Sequence, residues 1–181
     1  MVSYLQRTTP IAALLMLSLL GWPAMAQNGG LPGGANTLNE SHGDWAVSCA
    51  VVNQNGAPGK VCVLSQQQTT GQSGQRVLAV ELRPQDTTVD GTLVLPFGIA
   101  LDKGVTLQVD DGPALAPLRF RTCLPGGCVV DLSFDAKMLP LLRKGSSLKI
   151  RTIADGGKET QLAVSLKGFP SALDRTIALS K

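Results

Sequence analysis

The sequence predicts an all-β protein, a sandwich or barrel of about nine short strands with one or two short helices. Two observations support this prediction: apolar residues that recur with a period of two, and frequent glycine and proline turns between short extended runs. A period of two places successive side chains on opposite faces of a strand. Many short strands separated by turn residues are typical of β-sandwiches and barrels.

Residues 1–26 have the features of a secretory signal peptide. Arg7 is the only charged residue, Ile11 to Leu20 are mostly apolar, and Ala24-Met25-Ala26 matches the small residues that precede a signal peptidase cut. The apolar core is about 10 residues long, whereas a membrane-spanning helix needs about 20. Removing 26 of the 181 residues leaves 155. We expect this mature chain to be periplasmic, secreted or at the cell surface, without a membrane span; if cleavage fails, the segment becomes a membrane tether.

The charge of the mature chain argues against nucleic acid as a partner. The whole chain has 16 basic and 13 acidic residues, and the signal peptide removes one arginine and no acid, which leaves a net charge of +2. Proteins that bind nucleic acid normally concentrate basic residues on one face. A chain of this length also suffices for one domain with its own core.

The first residues after the predicted cut indicate a flexible leader, residues 27–42, followed by the folded domain, residues 43–181. Between Gln27 and Glu40 there are four glycines, one proline and three asparagines, with Leu31 and Leu38 as the only large apolar residues. Such a segment buries too little apolar surface to offset the loss of chain entropy on folding.

The domain that follows contains nine extended runs with alternating or continuous apolar residues. The first of them places Trp45, Val47 and Cys49 on one face, where the Trp45 indole would need an internal hydrogen-bond acceptor. The predicted strands are Asp44–Val52, Lys60–Gln68, Arg76–Arg83, Thr92–Leu95, Val105–Asp110, Pro117–Cys123, Cys128–Phe134, Ser147–Ile153 and Thr160–Leu166.

Two segments have helical features. One lies between Ser133 and Gly145 and the other spans Pro170 to Ile177. In the first segment Pro140 leaves two alternatives, because proline is tolerated in the first turn of a helix and kinks a helix interior. The helix either starts late, with Pro140 in its first turn, or bends at that residue.

Four cysteines allow three disulfide pairings. Cys49 and Cys62 lie on strands joined by a hairpin-like turn, and Cys123 and Cys128 flank a tight Leu-Pro-Gly-Gly reversal. We therefore predict the pairs Cys49–Cys62 and Cys123–Cys128 from proximity. Loop entropy slightly opposes this choice, because these short rings contribute about 3 and 2 kcal/mol and a long-range pair about 4 or 5 kcal/mol.

Several short motifs occur in a fixed order between Gly43 and Leu173. They are Gly43-Asp44-Trp45 with Cys49, Cys62 with Gln66-Gln67-Gln68, Leu95-Pro96-Phe97-Gly98-Ile99, Asp110-Asp111-Gly112, Phe120 with Cys123, Gly127-Cys128, Met138 to Leu142, and Ser165-Leu166-Lys167-Gly168-Phe169. In order and spacing this set resembles the invasion-associated locus B family.

The resemblance implies an immunoglobulin-like β-sandwich exported to the periplasm or outer surface. It also implies a role in association with host cells in some pathogens, and no chemical reaction. The glycine-rich leader departs from the pattern expected to be shared by the family.

The glutamines and the proline-phenylalanine segment are the candidate partner-binding residues. Gln66, Gln67 and Gln68 extend a strand with hydrogen-bonding side chains, which fits either a ligand surface or a solvated edge strand. In the segment Leu95–Ile99, Pro96 disfavours a central position in a sheet. The segment therefore fits either a contact surface that includes Phe97 or a packed corner between the sheets.

The remaining candidates for chemistry have simpler explanations. His42 is the only histidine, so a histidine-based triad or a zinc site has too few partners. Asp110 and Asp111 precede a glycine and indicate a turn rather than a calcium loop. Cys123 and Cys128 are separated by four residues, whereas thiol oxidoreductases generally use two intervening residues at a helix N-terminus. We expect no catalytic, cofactor or metal residues.

The sequence as a whole favours a non-enzymatic interaction protein that docks to a protein of the cell envelope or surface. Two alternatives remain. One is a thiol-redox accessory protein that uses Cys123 and Cys128, and the other is a structural component of the envelope.

Overall fold

A computed structural model describes residues 30–54, 56–71 and 74–181. The signal peptide and residues 27–29 of the expected leader lie outside this range. Within it, the α-helices are α1 (Leu139–Lys144) and α2 (Phe169–Ser180), with short 3-10 turns at Pro32–Gly34 and Leu101–Lys103. The strands are β1 (Thr37–His42), β2 (Trp45–Gln54), β3 (Ala57–Thr69), β4 (Arg76–Pro84), β5 (Val89–Leu95), β6 (Val105–Val109), β7 (Phe120–Leu124), β8 (Gly127–Phe134), β9 (Ser147–Ile153) and β10 (Glu159–Ser165).

The strands form two antiparallel sheets. The large sheet has seven strands in the order β1-β2-β3-β4-β5-β8-β7, and the small sheet has three in the order β10-β9-β6. The prediction of a mostly β protein with two short helices is confirmed, and each of the nine predicted strands is present. The immunoglobulin fold divides its strands more evenly between two sheets, so the immunoglobulin-like assignment stays a prediction.

Alternation along the strands accounts for the core. On β2 the side chains of Trp45, Val47 and Cys49 are buried, and on β9 Leu148 and Ile150 are buried between exposed or half-buried neighbours. One face of each strand thus supplies apolar residues to a single hydrophobic cluster. The helix α2 packs against strands β1 to β4 and contributes Phe169, whose ring meets Trp45 edge to face at a centroid distance of 5.2 Å.

The α1 helix starts late, with Pro140 in its first turn, which decides between the two alternatives for that segment. Asp135 marks the start of this helical region, because its Oδ1 accepts a hydrogen bond from the backbone N–H of Met138 at 2.9 Å. A carboxylate in this position satisfies an amide that the helix itself leaves unpaired.

The structure corrects the expected leader, residues 27–42. Thr37–His42 form β1, an edge strand in which every residue pairs with β2, and Leu31 is buried. The sequence obscured this strand because Leu38 is its only large apolar residue. The side chains of β1 bury little apolar surface. The strand is stabilised instead by its backbone hydrogen bonds to β2, which is strongly apolar.

A close backbone crossing connects the β1–β2 hairpin to the start of α2. Gly43 and Gly168 both have positive φ, +61° and +86°. A Cβ on Gly43 would lie 2.7 Å from the carbonyl oxygen of Lys167, and a Cβ on Gly168 would overlap the carbonyl oxygen of His42. Asp44 N–H also donates to the Lys167 carbonyl at 3.0 Å. Only glycines allow this approach.

An ion pair joins β1 to α2 beside this crossing. Arg175 donates two hydrogen bonds to the Glu40 carboxylate, from Nε at 2.7 Å and from Nη2 at 2.6 Å, and His42 Nε2 lies 3.3 Å from the same group. These hydrogen bonds, that of Arg175 first, lower the pKa of Glu40 from 4.5 to about 2. Because the arginine and the carboxylate share two parallel hydrogen bonds, their relative orientation is better defined than in a surface pair with a single contact.

We predict that Gly168→Ala destabilises the protein by about 3 kcal/mol or more, since the added Cβ overlaps backbone and the φ angle is unfavourable for alanine. The control is Gly157→Ala, which has a similar φ of +88° but nothing within 4 Å of the added Cβ. It should cost only about 1–2 kcal/mol. Urea denaturation measures both, and equal losses would show that the crossing is not tightly packed.

We predict that the Glu40–Arg175 pair makes stability depend on acid pH. The pKa of Glu40 is lowered in the folded state, so its stabilising effect is complete above about pH 4.5 and is lost as the pH falls towards about 2. The thermal midpoint of Glu40→Gln should therefore lie below that of the parent at pH 7, and the gap should close between about pH 4.5 and 2. Glu81→Gln, at an exposed carboxylate with no ion-pair partner in the described ranges, should show little gap. A gap for Glu40→Gln that is independent of pH contradicts the assignment.

Candidate functional site

The glutamine row lies in the middle of the large sheet, not at its edge. Strand β3 pairs with β2 on one side and β4 on the other, so the expectation of a solvated edge strand for Gln66, Gln67 and Gln68 is wrong. Their polar character suggested an edge because interior strands are usually apolar on the core face. Here Gln66 and Gln68 face inward, and Gln66 is only 6% exposed.

The inward glutamines pair with the backbone of β10. Gln66 Nε2 donates to the Ser165 carbonyl at 3.0 Å, and Ser165 N–H donates to Gln66 Oε1 at 3.0 Å. Gln68 Nε2 donates to the Ala163 carbonyl at 2.6 Å. Strand β10 is an edge strand of the small sheet, so these amides take the place of a neighbouring strand.

The Ser165 carbonyl is also the internal acceptor that the Trp45 indole requires. Trp45 Nε1 donates to it at 2.8 Å, which confirms that this tryptophan fills the core with its N–H satisfied. The Ser165 hydroxyl in turn donates to Asp44 at 2.6 Å. Gln66 and Gln68 thus have a structural role, while Gln67 is exposed on the opposite face of the sheet.

Phe97 lies in the connection that takes the chain from the large sheet, at β5, to the small sheet, at β6. This corner is held by hydrogen bonds from Asp155 N–H to the Gly98 carbonyl and from Ala100 N–H to the Ile153 carbonyl, both 2.8 Å. The predicted corner is confirmed, but Phe97 does not pack inside it. The phenyl ring is 61% exposed.

Both predicted disulfides are present. Cys49–Cys62 joins directly opposed residues of β2 and β3, and Cys123–Cys128 joins opposed residues of the β7–β8 hairpin. Cys128 is buried and Cys123 is exposed. All four cysteines lie on strands rather than at the first turn of a helix, which is where thiol oxidoreductases generally place their reactive pair.

The remaining polar candidates take part in local structure. The Asp110 carboxylate accepts the backbone N–H of Ser147 at 2.9 Å, and Asp111 pairs with Lys149 at 2.7 Å, so this segment forms the expected turn. His42 is half-buried at the end of β1. Across the described ranges there is no group of three or more His, Cys, Asp or Glu residues arranged to hold a metal ion. The same ranges contain no helix long and apolar enough to cross a membrane.

Sequence reasoning missed an apolar groove beside α1. Two adjoining hollows of about 300 and 360 Å³ share Leu115, Met138 and Leu141. The available signal was the run Met138 to Leu142, which has more apolar residues than one buried face of so short a helix can use. Leu142 is buried, whereas Leu141 is 50% exposed and lines both hollows.

The fold and its bridges define a disulfide-linked, two-sheet β domain, a type suited to the oxidising environment outside the cytoplasm. The sequence profile of the Invasion associated locus B (IalB) protein family matches residues 45–176. The chain belongs to this family.

Individual relatives support the same assignment. The chain is 46% identical over 155 residues to an invasion protein B homologue of Brucella abortus (strain 2308), with 83% of this chain and 86% of that protein covered. It is 37% identical over 154 residues to invasion protein B of Bartonella bacilliformis, covering 83% and 81%. The crystal structure of invasion associated protein b from Bartonella henselae superposes with a TM-score of 0.71 at 38% identity, covering 78% of this chain and 96% of that one.

We predict that Gln66→Leu destabilises the protein by about 2 kcal/mol, because it leaves the half-buried Ser165 N–H without its partner and removes one donor from the Ser165 carbonyl. Gln67→Leu, one residue away on the exposed face, should change the free energy of unfolding by less than about 0.5 kcal/mol. Urea denaturation compares the two. Similar values would contradict the assignment of Gln66 as the connection between the sheets.

Proposed function

We propose that this protein is an exported, non-enzymatic interaction protein that acts in the periplasm or at the cell surface. It docks to a protein of the cell envelope or of a host-cell surface through the corner that carries Phe97. The proposal includes removal of residues 1–26 on export and an immunoglobulin-like arrangement of the two sheets.

The exposure of Phe97 on a fixed backbone is the observation that carries this proposal. A large aromatic side chain is costly to leave in water and is typical of the residues that dominate binding energy at protein interfaces. The hydrogen bonds of Gly98 and Ala100 hold the corner in place. A rigid contact residue loses less conformational entropy when it binds. Leu101, 47% exposed, adds apolar surface to the same connection.

The relatives support the biological setting of the proposal. Two of them are called invasion proteins B or homologues of it, and the chain matches them over most of their length. Association with host cells is therefore part of the proposed function.

The experiment places a photo-crosslinking benzoylphenylalanine at position 97 and, in separate strains, at positions 67 and 167. Gln67 and Lys167 are exposed residues outside the corner. After irradiation of intact cells, position 97 should give a discrete crosslinked product, and the two control positions should not. In a separate experiment, the partner is co-purified with the protein without crosslinking. Phe97→Ser should reduce the amount of partner recovered in this way by about tenfold, as expected for loss of an aromatic anchor.

Two results would count against the proposal. Equal crosslinking from all three positions shows non-specific contact, and no crosslink from position 97 in either bacteria or bacteria mixed with host cells removes the corner as a docking site.

The reduction potential of the Cys123–Cys128 pair distinguishes the proposed docking function from the thiol-redox alternative. A value in the range of disulfide-exchange catalysts supports that alternative, whereas a much lower value supports a structural bridge.

A further inference from the structure

The groove beside α1 has the lining of a small-molecule site. The segment that follows β6 forms one wall and α1 forms the other. Its lining is mostly apolar, contributed chiefly by Val109, Pro113, Leu115, Met138 and Leu141. Ligand sites in proteins are typically hollows of roughly 300–1,000 Å³ with apolar walls and a few polar groups that orient the ligand. Each hollow of the groove reaches the lower end of that range.

The rim carries two lysines and two aspartates, and the lysines are the groups left free to pair with an anion. Asp110 and Lys144 line one hollow, and Asp135 and Lys137 line the other. Both carboxylates are engaged with backbone amides: Asp110 accepts from Ser147 at 2.9 Å, and Asp135 accepts from Met138 at 2.9 Å. Neither lysine ammonium has an ion-pair or hydrogen-bond partner in the ranges that the structure describes, so both are available to an incoming ligand.

The backbone beside the groove offers little to an extended peptide. Strand β6 is an edge strand, but its outer edge is already covered by the chain that follows it. Leu115 N–H donates to the Leu107 carbonyl at 2.8 Å, Leu118 N–H donates to the Val105 carbonyl at 2.8 Å, and Val105 N–H returns to the Leu118 carbonyl at 2.9 Å. A peptide that adds to a sheet needs such groups free. An alkyl chain needs none, because it has no polar atoms to satisfy.

We propose that the groove binds a free fatty acid. The alkyl chain lies along Leu115, Met138 and Leu141 across both hollows, and the carboxylate pairs with Lys144 or Lys137 at the rim. Lysine suits this role because its long stem follows apolar surface while its ammonium group remains in water. This site is separate from the Phe97 corner and does not depend on the function proposed above.

The test is isothermal titration of the purified mature protein with dodecanoate below its micelle concentration. The parent should bind one dodecanoate per chain. Leu141→Asp should weaken binding by about tenfold or more, since it places a carboxylate beside the alkyl chain. Leu124→Asp is the matched control, because Leu124 is a leucine of similar exposure on β7, outside both the groove and the Phe97 connection, and it should bind dodecanoate like the parent.

A second arm tests the charge. Lys137→Gln combined with Lys144→Gln should weaken dodecanoate binding by about tenfold and leave the weaker binding of uncharged dodecanol unchanged. Lys158→Gln, at an exposed lysine of the β9–β10 turn, should have no effect. Circular dichroism and urea denaturation confirm that each variant folds.

Three results would overturn the proposal. One is the absence of dodecanoate binding to the folded parent. Another is equal loss of affinity in Leu141→Asp and Leu124→Asp, which indicates general detergent-like association. The last is a dimer in solution that Leu141→Asp dissociates while dodecanoate has no effect, which assigns the groove to contact between two copies of the chain.

Discussion

The free edge of β10 is the constraint on which the arrangement of the two sheets depends. An edge strand presents unpaired N–H and carbonyl groups, and these are costly when they are buried without partners. In this protein Gln66 and Gln68 of the large sheet reach across and pair with β10, and Trp45 donates to the same Ser165 carbonyl. Directional hydrogen bonds therefore fix the position of the small sheet on the large one, which apolar packing alone leaves less well defined.

The same region also places α2. Only Leu166, Lys167 and Gly168 separate the end of β10 from the helix, and Gly168 crosses directly against the β1–β2 hairpin. Phe169, the first helical residue, then packs its ring on Trp45. The sheet junction, the hairpin and the helix start are thus parts of one contact region, and the Glu40–Arg175 pair extends it along α2.

The two surfaces proposed for binding share no residue. The Phe97 corner is bonded to Ile153 and Asp155, at and just beyond the end of β9, whereas the first hollow of the groove lies beside Val109, which pairs with Leu148 near the start of β9. The second hollow extends along β6 to Leu118, on the side of the sheet edge that the chain after β6 covers. A protein contact at the corner and a fatty acid in the groove thus use different side chains of the domain.

Local sequence patterns were enough to predict the nine strands, both helices and both disulfides. Period-two alternation, glycine and proline turns and the short distance between paired cysteines are properties of neighbouring residues, and they hold largely independently of the rest of the fold. For α1 the sequence left two alternatives, a late start or a kink at Pro140, and the structure decided for the late start. Among the strands in the described part of the chain, only β1 was missed, since one leucine in six residues gives too weak an apolar pattern.

The sequence by itself determined nine of the ten strands in the described ranges and favoured the two cysteine pairs that form, because short-range chemistry decides these features. Tertiary structure alone decided what the conspicuous side chains do. The glutamines became a bond between sheets, Phe97 remained in solvent, and Leu115, Met138 and Leu141 came together from separate segments to form a groove. These outcomes depend on which strands become neighbours and how the two sheets are offset. Contacts between residues far apart in the chain decide both, and a local sequence pattern does not report on such contacts.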